Sequence, residues 1–516
     1  MAPFFVGVRD MSGQPTPLVP AEPVFDLLVI GGGINGLGIA RDAAGRGLSV
    51  LLCEQNDLGS GTSSTSSGLI HGGLRYLEQG NFRLVAESLA EREVLLHVAP
   101  HLIRPLRFVL PHDHSQRPAW LIRLGLLLYD HLGKRRVLPG SQALDLTDSP
   151  LAAGLRPAFR RGFSYWDCQV FDARLVVANA IDAHERGAVI LTRTRCLAAT
   201  RDQNRWRVRL SDTTTGREWT VVARLVINAA GPWAGQVLTD VLRHSGAERL
   251  RLVKGSHIVV PRVHDGDHGL ILQNPDRRVV FVLPYERQFS LIGTTDVPFS
   301  GDPAAAVASD QEVGYLCAAA SRYLARPVTA ADVVTSFAGV RPLHDDRAGN
   351  PAAVTRDYQL ELDAPPGQAP LLTVFGGKLT SYRVLAERVL ERVAGVLGRP
   401  SGPAWAPAWT AKAVLPGGED PAESQAALTQ CQDWLPAGLA ERWARLYGAR
   451  AGAVLGGARA LADLGRGFGG GLYAREVAWL REHEFARNAE DILFRRTRLG
   501  LVLSKHQRDA LAKWLN

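Results

Sequence analysis

The chain is poor in cysteine and methionine and has no long uninterrupted apolar run. Its five cysteines, Cys53, Cys168, Cys196, Cys317 and Cys431, lie far apart with no CxxC pair. That excludes a disulfide framework, and we read them as reduced, mostly buried thiols of a cytosolic protein. No metal site is expected. No stretch of about eighteen uncharged apolar residues occurs, so no helix is expected to span a bilayer. The first twenty residues lack a basic segment followed by a long apolar one, so no secretory signal is expected. Residues 1–23, with a second methionine at Met11, are read as a flexible extension. Repeats of solenoid length are also missing. Charge is not extreme: the net +8 favours an anionic partner, whether phosphate-bearing substrate, acidic lipid or nucleic acid, without choosing among them.

What is present points to an α/β enzyme. At 516 residues the chain is too long for one core, and two or three packed units are expected. Many of its 52 glycines sit at strand-to-helix turns, where backbone can approach a ligand closely. The run from Phe25 to Ile30 suits a strand buried on both faces. It feeds Gly31-Gly32-Gly33-Ile34-Asn35-Gly36, an alanine-rich helix ending at Gly45-Arg46-Gly47, and a second strand from Leu48 to Cys53. This is a β-α-β crossover.

Gly31, Gly33 and Gly36 stand at GxGxxG spacing. The first permits the tight turn, the second lets N–H groups approach a pyrophosphate, and the third lets helix and strand pack. The helix N-terminus adds about half a positive charge toward the phosphates. Glu54, eighteen residues past Gly36, ends the second strand where a carboxylate can accept ribose hydroxyls. It would repel a 2′-phosphate. The hydroxyl-rich loop from Gly59 to Gly68 interrupts a compact unit and reads as a ligand-covering loop rather than a linker.

Farther on, a helix spans Asp172 to Gly187, a strand covers residues 188–191, and residues 205–226 read as a hairpin and returning strand. Residues 250–300 are mostly strand, as in an antiparallel sheet. Leu371–Lys378 is a buried strand ending in glycines. Residues 399–421, rich in proline and glycine, read as a linker to an alanine-rich helical remainder.

From residue 24 onward the chain resembles the quinone-linked, FAD-dependent glycerol-3-phosphate dehydrogenases. The resemblance rests on Val29 to Gly36, Gly61-Thr62-Ser63-Ser64, Leu69 to Leu77, Asp172-Ala173-Arg174-Leu175 and Gly231-Pro232-Trp233. It continues through Val253 to His257, Ile292 to Asp296, Gly339 to Leu343, Phe375 to Arg383 and Ala489 to Leu501, in order over roughly 24–510. Gly68 departs from it, standing where many relatives have lysine, and an electrostatic contribution near the flavin could be lost with that side chain.

The resemblance implies a Rossmann-like FAD-binding domain (24–95, 165–245 and 335–398), an antiparallel-sheet substrate or cap domain (96–164 and 246–334) and a C-terminal helical domain (399–516). It implies FAD bound non-covalently by Gly31, Gly33, Ile34, Asn35, Gly36, Glu54, Thr62, Ser63, Ser64, Ser66, Ser67, His71 and Gly72. Ala230, Gly231 and Trp233 would complete that pocket with Gly376, Gly377, Lys378, Leu379 and Thr380. Arg75, Tyr76, Arg341 and Lys378 would meet the substrate. The implied reaction turns sn-glycerol 3-phosphate into dihydroxyacetone phosphate, with electrons passed on to a membrane quinone.

Oxidising a secondary alcohol requires removal of a hydride from carbon and a proton from its hydroxyl, with the phosphate held by cations. Arginine offers a planar fork for a phosphate and lysine a compact charge. We therefore place Arg341, Lys378 and His71 in the catalytic set. His71 is either a proton acceptor or a hydrogen-bonding partner of the flavin or loop. His257 reads first as structural, and Asp296 either ties strands together or orients a base. The apolar segment Trp120–Tyr129, followed by Lys134-Arg135-Arg136, suits either a helix in a membrane interface or a core helix. The resemblance favours an anionic membrane surface, at the inner face of the cytoplasmic membrane. Two other readings stay open: a soluble oxidase making hydrogen peroxide, and a flavin-binding sensor without turnover. Basic residues are not clustered with aromatics, so no nucleic-acid partner is expected. A homodimer is left open.

Overall fold

The computed structural model describes residues 23–113, 117–133, 137–244, 250–276, 278–344, 357–397, 406–420, 428–429, 431 and 433–515, with two short paired strands, Val8–Arg9 and Pro15–Thr16. The remainder of the expected N-terminal extension lies outside the described residues.

The Val24–Ile30 strand is buried over its last four residues, as its continuous apolar run requires. It lies inside an eight-stranded sheet, parallel to Val50–Cys53 on one side and to Glu218–Asn228 on the other. Val189–Leu191 and Leu371–Phe375 extend the parallel set. The first half of Glu218–Asn228 instead carries the antiparallel strands Arg205–Asp212 and Thr194–Asp202. The Ile34–Gly45 helix is buried along most of its length because it packs against the Asp172–Glu185 and Tyr382–Leu397 helices. Small residues on this helix, Gly38, Ala40 and Ala43 among them, permit that crowding: a Cβ at Gly38 would come within 2.8 Å of the Tyr382 ring.

The second sheet has ten strands. Leu250–Pro261 and Thr335–His344 pair antiparallel over ten residues, from Leu250 opposite His344 to Val259 opposite Thr335. Phe289–Gly293, Val279–Tyr285 and Gly269–Gln273 continue the sheet, and Ile103–His112 joins the last of these in parallel and Arg161–Val170 antiparallel. Two sequence boundaries differ here. Thr335–His344 and the end of Arg161–Val170 belong to this sheet rather than to the nucleotide-fold sheet. Which partner a strand finds depends on distant register, which its own residues do not display.

The C-terminal residues form a separate helical core around Trp443, Leu446, Val477, Leu480 and Ile492. Residues 406–420, expected as part of a linker, are instead packed down. Trp409 lies against the guanidinium groups of Arg41 and Arg186, Arg383 donates to Thr410 Oγ1 at 2.9 Å, and the Leu415 N–H donates to Val98 O. Proline and glycine set the irregular path, and the tryptophan and leucine anchor it.

The Ala119–Leu132 helix has two apolar faces. Ile122, Leu126 and Tyr129 are buried against the second sheet, whereas Trp120 is 68% exposed and Leu121, Leu124, Leu127 and Leu128 are each more than 40% exposed. Lys134, Arg135 and Arg136 lie outside the described residues. No helix among the described residues is long and apolar enough to cross a membrane.

Candidate active site

A cavity of about 660 Å³ runs from the glycine turn of the first sheet to the inner end of the second. At the turn, Gly31 has φ +112°, and a Cβ there would come 2.6 Å from Ala229 O. A Cβ on Gly36 would sit 2.0 Å from Gly31 O, so the turn closes on itself only with glycine. Gly33, Ile34 and Asn35 line the wall. The Ile34 N–H donates to Ser63 Oγ at 3.1 Å and Asn35 Nδ2 to Gly376 O at 3.0 Å, while the buried Asn35 Oδ1 has no partner among the described residues. Glu54 receives the Gly32 and Asn56 N–H groups, one on each oxygen at 2.8 Å. Burial pushes its carboxyl up, although both N–H groups favour the charge. The glycine cradle fits a pyrophosphate, and the buried carboxylate and the orphaned amide oxygen, both acceptors, fit the hydroxyl groups of a dinucleotide.

The hydroxyl-rich loop is tied down through its own side chains. Thr62 donates to Val340 O at 2.6 Å, Ser66 to Asp172 Oδ2 at 2.7 Å, and Ser67 Oγ lies 2.9 Å from His257 Nε2. Thr62, Ser63, Ser66 and Ser67 line the cavity, as do Ala230, Gly231, Trp233 and every residue from Gly376 to Thr380. Gly68 has φ +64°, and a Cβ there would meet Val170 O at 2.7 Å.

At the far end Arg341 reaches in from the Thr335–His344 strand. Its Nη1 lies 2.5 Å from Asp296 Oδ1, and its Nη2 donates to Thr294 Oγ1 at 3.2 Å. Arg75 Nη1 stands 3.9 Å from the other Asp296 oxygen, so one carboxylate gathers two guanidinium groups. Lys378 Nζ lies 4.1 Å from the centre of the Tyr76 ring. The His71 N–H donates to Thr380 Oγ1, whose hydroxyl in turn lies 3.3 Å from His71 O, so His71 and the Lys378 turn are neighbours. His71, Tyr76, Arg341 and Lys378 therefore share one end of the cavity.

Some expected residues are not on the wall. Gly36 and Ser64 sit behind it, and Arg75 reaches the site through Asp296. Gly72, expected at the cofactor, is buried instead: its N–H donates to Tyr129 OH, which bonds Asp167, the partner of Arg92. A Cβ there would strike Leu89, which is a packing constraint. His257 stacks on Phe337 at 5.0 Å, and burial, aided by Arg341, lowers its pKa to about 3, so the ring is neutral. Sequence reasoning missed Asn56, Thr194, Arg195 and Cys196 beyond Glu54, and Gly255 beside Arg341. Gly255 had a signal, since it interrupts a strand-forming run, and its reason is now visible: a Cβ would come 2.6 Å from Thr294 Oγ1 and 2.7 Å from Arg341 Nη2.

Residues 26–383 match the family described as FAD dependent oxidoreductase, and residues 408–516 match the C-terminal domain of alpha-glycerophosphate oxidase. A glycerol-3-phosphate dehydrogenase of Pseudomonas aeruginosa is 53% identical over 508 residues, covering 98% of each chain. The chain belongs to the FAD-dependent glycerol-3-phosphate dehydrogenase family. A D-erythritol 1-phosphate dehydrogenase of Brucella abortus is 49% identical over 501 residues, 96% of this chain and 99% of that one. The crystal structure of a Bacillus halodurans glycerol-3-phosphate dehydrogenase complexed with FAD superposes with a TM-score of 0.74 at 28% identity, covering 96% of this chain and 90% of that one. The protein is thus an FAD-dependent oxidoreductase, and the glycine turn and Glu54 at the fingerprint end of the cavity fit that cofactor.

Proposed function

We propose that the protein oxidises sn-glycerol 3-phosphate to dihydroxyacetone phosphate and passes the electrons to a membrane quinone. The observation that carries this reading is the gathering of Arg341, Lys378, Tyr76 and His71 at one end of a cavity whose other end fits a dinucleotide. FAD, when bound, supplies the acceptor for the hydride. Arg341 and Lys378, with Arg75 behind, hold the phosphate dianion, and Tyr76 fixes the lysine through its ring face. Such cations orient the carbinol carbon and offset the charge that the substrate brings into a desolvated space. We assign His71, whose backbone is tied to Thr380, the role of receiving the hydroxyl proton on a ring nitrogen. His257, being neutral and buried, supports the Ser67 side of the loop.

The exposed leucine face of the Ala119–Leu132 helix supports a peripheral membrane position, where a lipid-soluble quinone is available. Two findings favour specific alternatives. The Brucella abortus protein is named for D-erythritol 1-phosphate, a longer polyol phosphate. The match of residues 408–516 to the C-terminal domain of alpha-glycerophosphate oxidase keeps the peroxide-producing oxidase as the other. Anaerobic flavin bleaching with glycerol 3-phosphate, D-erythritol 1-phosphate, glycerol and lactate separates the substrates. Rapid bleaching is expected with the first, and its absence there would remove this reading. Quinone reduction without stoichiometric peroxide in air would set aside the oxidase.

A further inference from the structure

Beyond Glu54 the chain makes a tight turn whose outer side is gripped by the C-terminal helical unit. Asp57, 1% exposed, points away from the cavity. Its two oxygens accept Arg496 Nη1 and Nη2 at 2.8 Å each, and Arg495 Nε at 2.5 Å. Both arginines belong to the Asp491–Arg496 segment, 438 and 439 residues away in sequence. Arg496 is itself fixed by Glu484 O, and Arg495 by Asp491. Asp491 also receives Arg193 Nη2 at 2.7 Å.

The same turn contacts the nucleotide end of the cavity from its inner side. The Arg193 N–H donates to Asn56 O, the Thr194 N–H to Glu54 O, and the Gly59 N–H to Gly32 O within the glycine turn. The Asn56 N–H holds one oxygen of Glu54. Glu54, Asn56, Ser60 and Thr194 all line the cavity, whereas Asp57 does not. A displacement of Asp57 would therefore move the backbone that aims the Glu54 carboxylate.

We propose that Asp57, clamped by Arg495 and Arg496, is a positioning residue through which the C-terminal helical unit sets the adenosine end of the FAD site. Asp57 and Arg496 depend on each other for charge pairing, and leaving either unpaired in a dry interior is strongly unfavourable, whereas Arg495 also pairs with Asp491 and Glu490. The unit named for glycerophosphate oxidases is then part of the cofactor site without touching the cofactor.

The inference rests on Glu54 receiving the adenosine ribose, and the experiment tests the two separately. Full-length protein is stripped of flavin, and the dissociation constants of FAD and of FMN, which lacks the adenosine half, are measured by fluorescence titration. Asp57→Asn should weaken FAD at least tenfold and change FMN by less than twofold. Glu54→Gln serves as the control and should show the same split. A split in Glu54→Gln without one in Asp57→Asn overturns the positioning role alone. No split in Glu54→Gln overturns the ribose assignment, and the inference with it. Equal loss of FAD and FMN in Asp57→Asn would mean general destabilisation and also overturns the inference. Should Asp57→Asn fail to fold, Arg495→Gln, which leaves both Arg496 bonds to Asp57, replaces it, with a split of threefold or more expected and an unchanged ratio overturning the proposal.

Discussion

Arg75 and Arg341 would repel each other if left alone, and Asp296 is what allows them to stand together. Its carboxylate lies 2.5 Å from one and 3.9 Å from the other, so the charge proposed to hold the phosphate is assembled before substrate arrives. Preassembly of this kind lowers the cost of binding, because less is reorganised when the dianion enters. Arg341→Ala should therefore lower kcat/KM for glycerol 3-phosphate about thirtyfold or more, since breaking a desolvated charge pair costs about 2–5 kcal/mol. FAD content should be unchanged, and near-normal kcat/KM would remove Arg341 from the substrate site. Gly255→Ala gives a second reading of the same contact without touching a charge. Its Cβ would press on Arg341 Nη2 and Thr294 Oγ1 at under 3 Å, so the guanidinium must shift. A rise in KM of about tenfold is expected, in line with the sensitivity of catalysis to misplacement on the order of 1 Å. Unchanged KM with Arg341 still essential would mean that the guanidinium adapts freely.

Among the elements, the β-α-β crossover was the most legible in sequence because its evidence is local. Gly31, Gly36 and Glu54 lie within one strand-helix-strand unit, and the steric demand on Gly36 comes from Gly31 O inside it, whereas the atom that a Cβ on Gly31 would strike, Ala229 O, lies on the distant returning strand. The outer segments were harder to read. The Thr335–His344 strand, expected in the FAD-binding domain, pairs instead in the second sheet, because its partner lies some eighty residues earlier in the chain, and Gly72, expected at the cofactor, is enclosed by Tyr129 and Leu89. The Ala119–Leu132 helix posed a different problem, since its apolar residues serve both readings weighed from sequence. Ile122, Leu126 and Tyr129 belong to the core, while Leu124, Leu127 and Leu128 face outward. Changing those three outward leucines to serine should leave folding and soluble-dye reduction intact. It should abolish the salt-resistant fraction of binding to anionic vesicles, leaving only the electrostatic share of about 1 kcal/mol per nearby basic residue, which salt screens. If the wild-type protein does not sediment with anionic vesicles at low salt, the peripheral-membrane proposal fails.

At the scale of the whole molecule, stability should depend on pH through histidines folded in their neutral form. Burial lowers His257 and His101 to about 3 and His268 to about 4, with nearby arginines adding to the effect, Arg341 at His257 and Arg174 at His101. In the unfolded chain each returns to an ordinary pKa of about 6.5. Between those values the unfolded state holds protons that the folded state does not, so stability is complete above about pH 6.5 and declines as pH falls. The limiting slope is about 1.4 kcal/mol per pH unit for each histidine. Glu54, Glu91 and Asp167 act in the opposite direction, because burial raises their pKa values and the folded state then binds protons more readily. They act equally in the wild-type protein and in a single-histidine variant, so the difference between the two over the interval from about pH 7.5 to 5.5 reports the histidine. Over that interval, with FAD kept in excess so that its binding does not vary, Tm should fall steadily. His101 is the histidine to replace, since it lies away from the cavity and its Nδ1 is buried without a partner among the described residues. In His101→Asn the decline should be shallower by roughly the share of one group, about 1.4 kcal/mol per pH unit at most. A variant with the wild-type slope would show that the His101 imidazole accepts its proton without leaving the folded state.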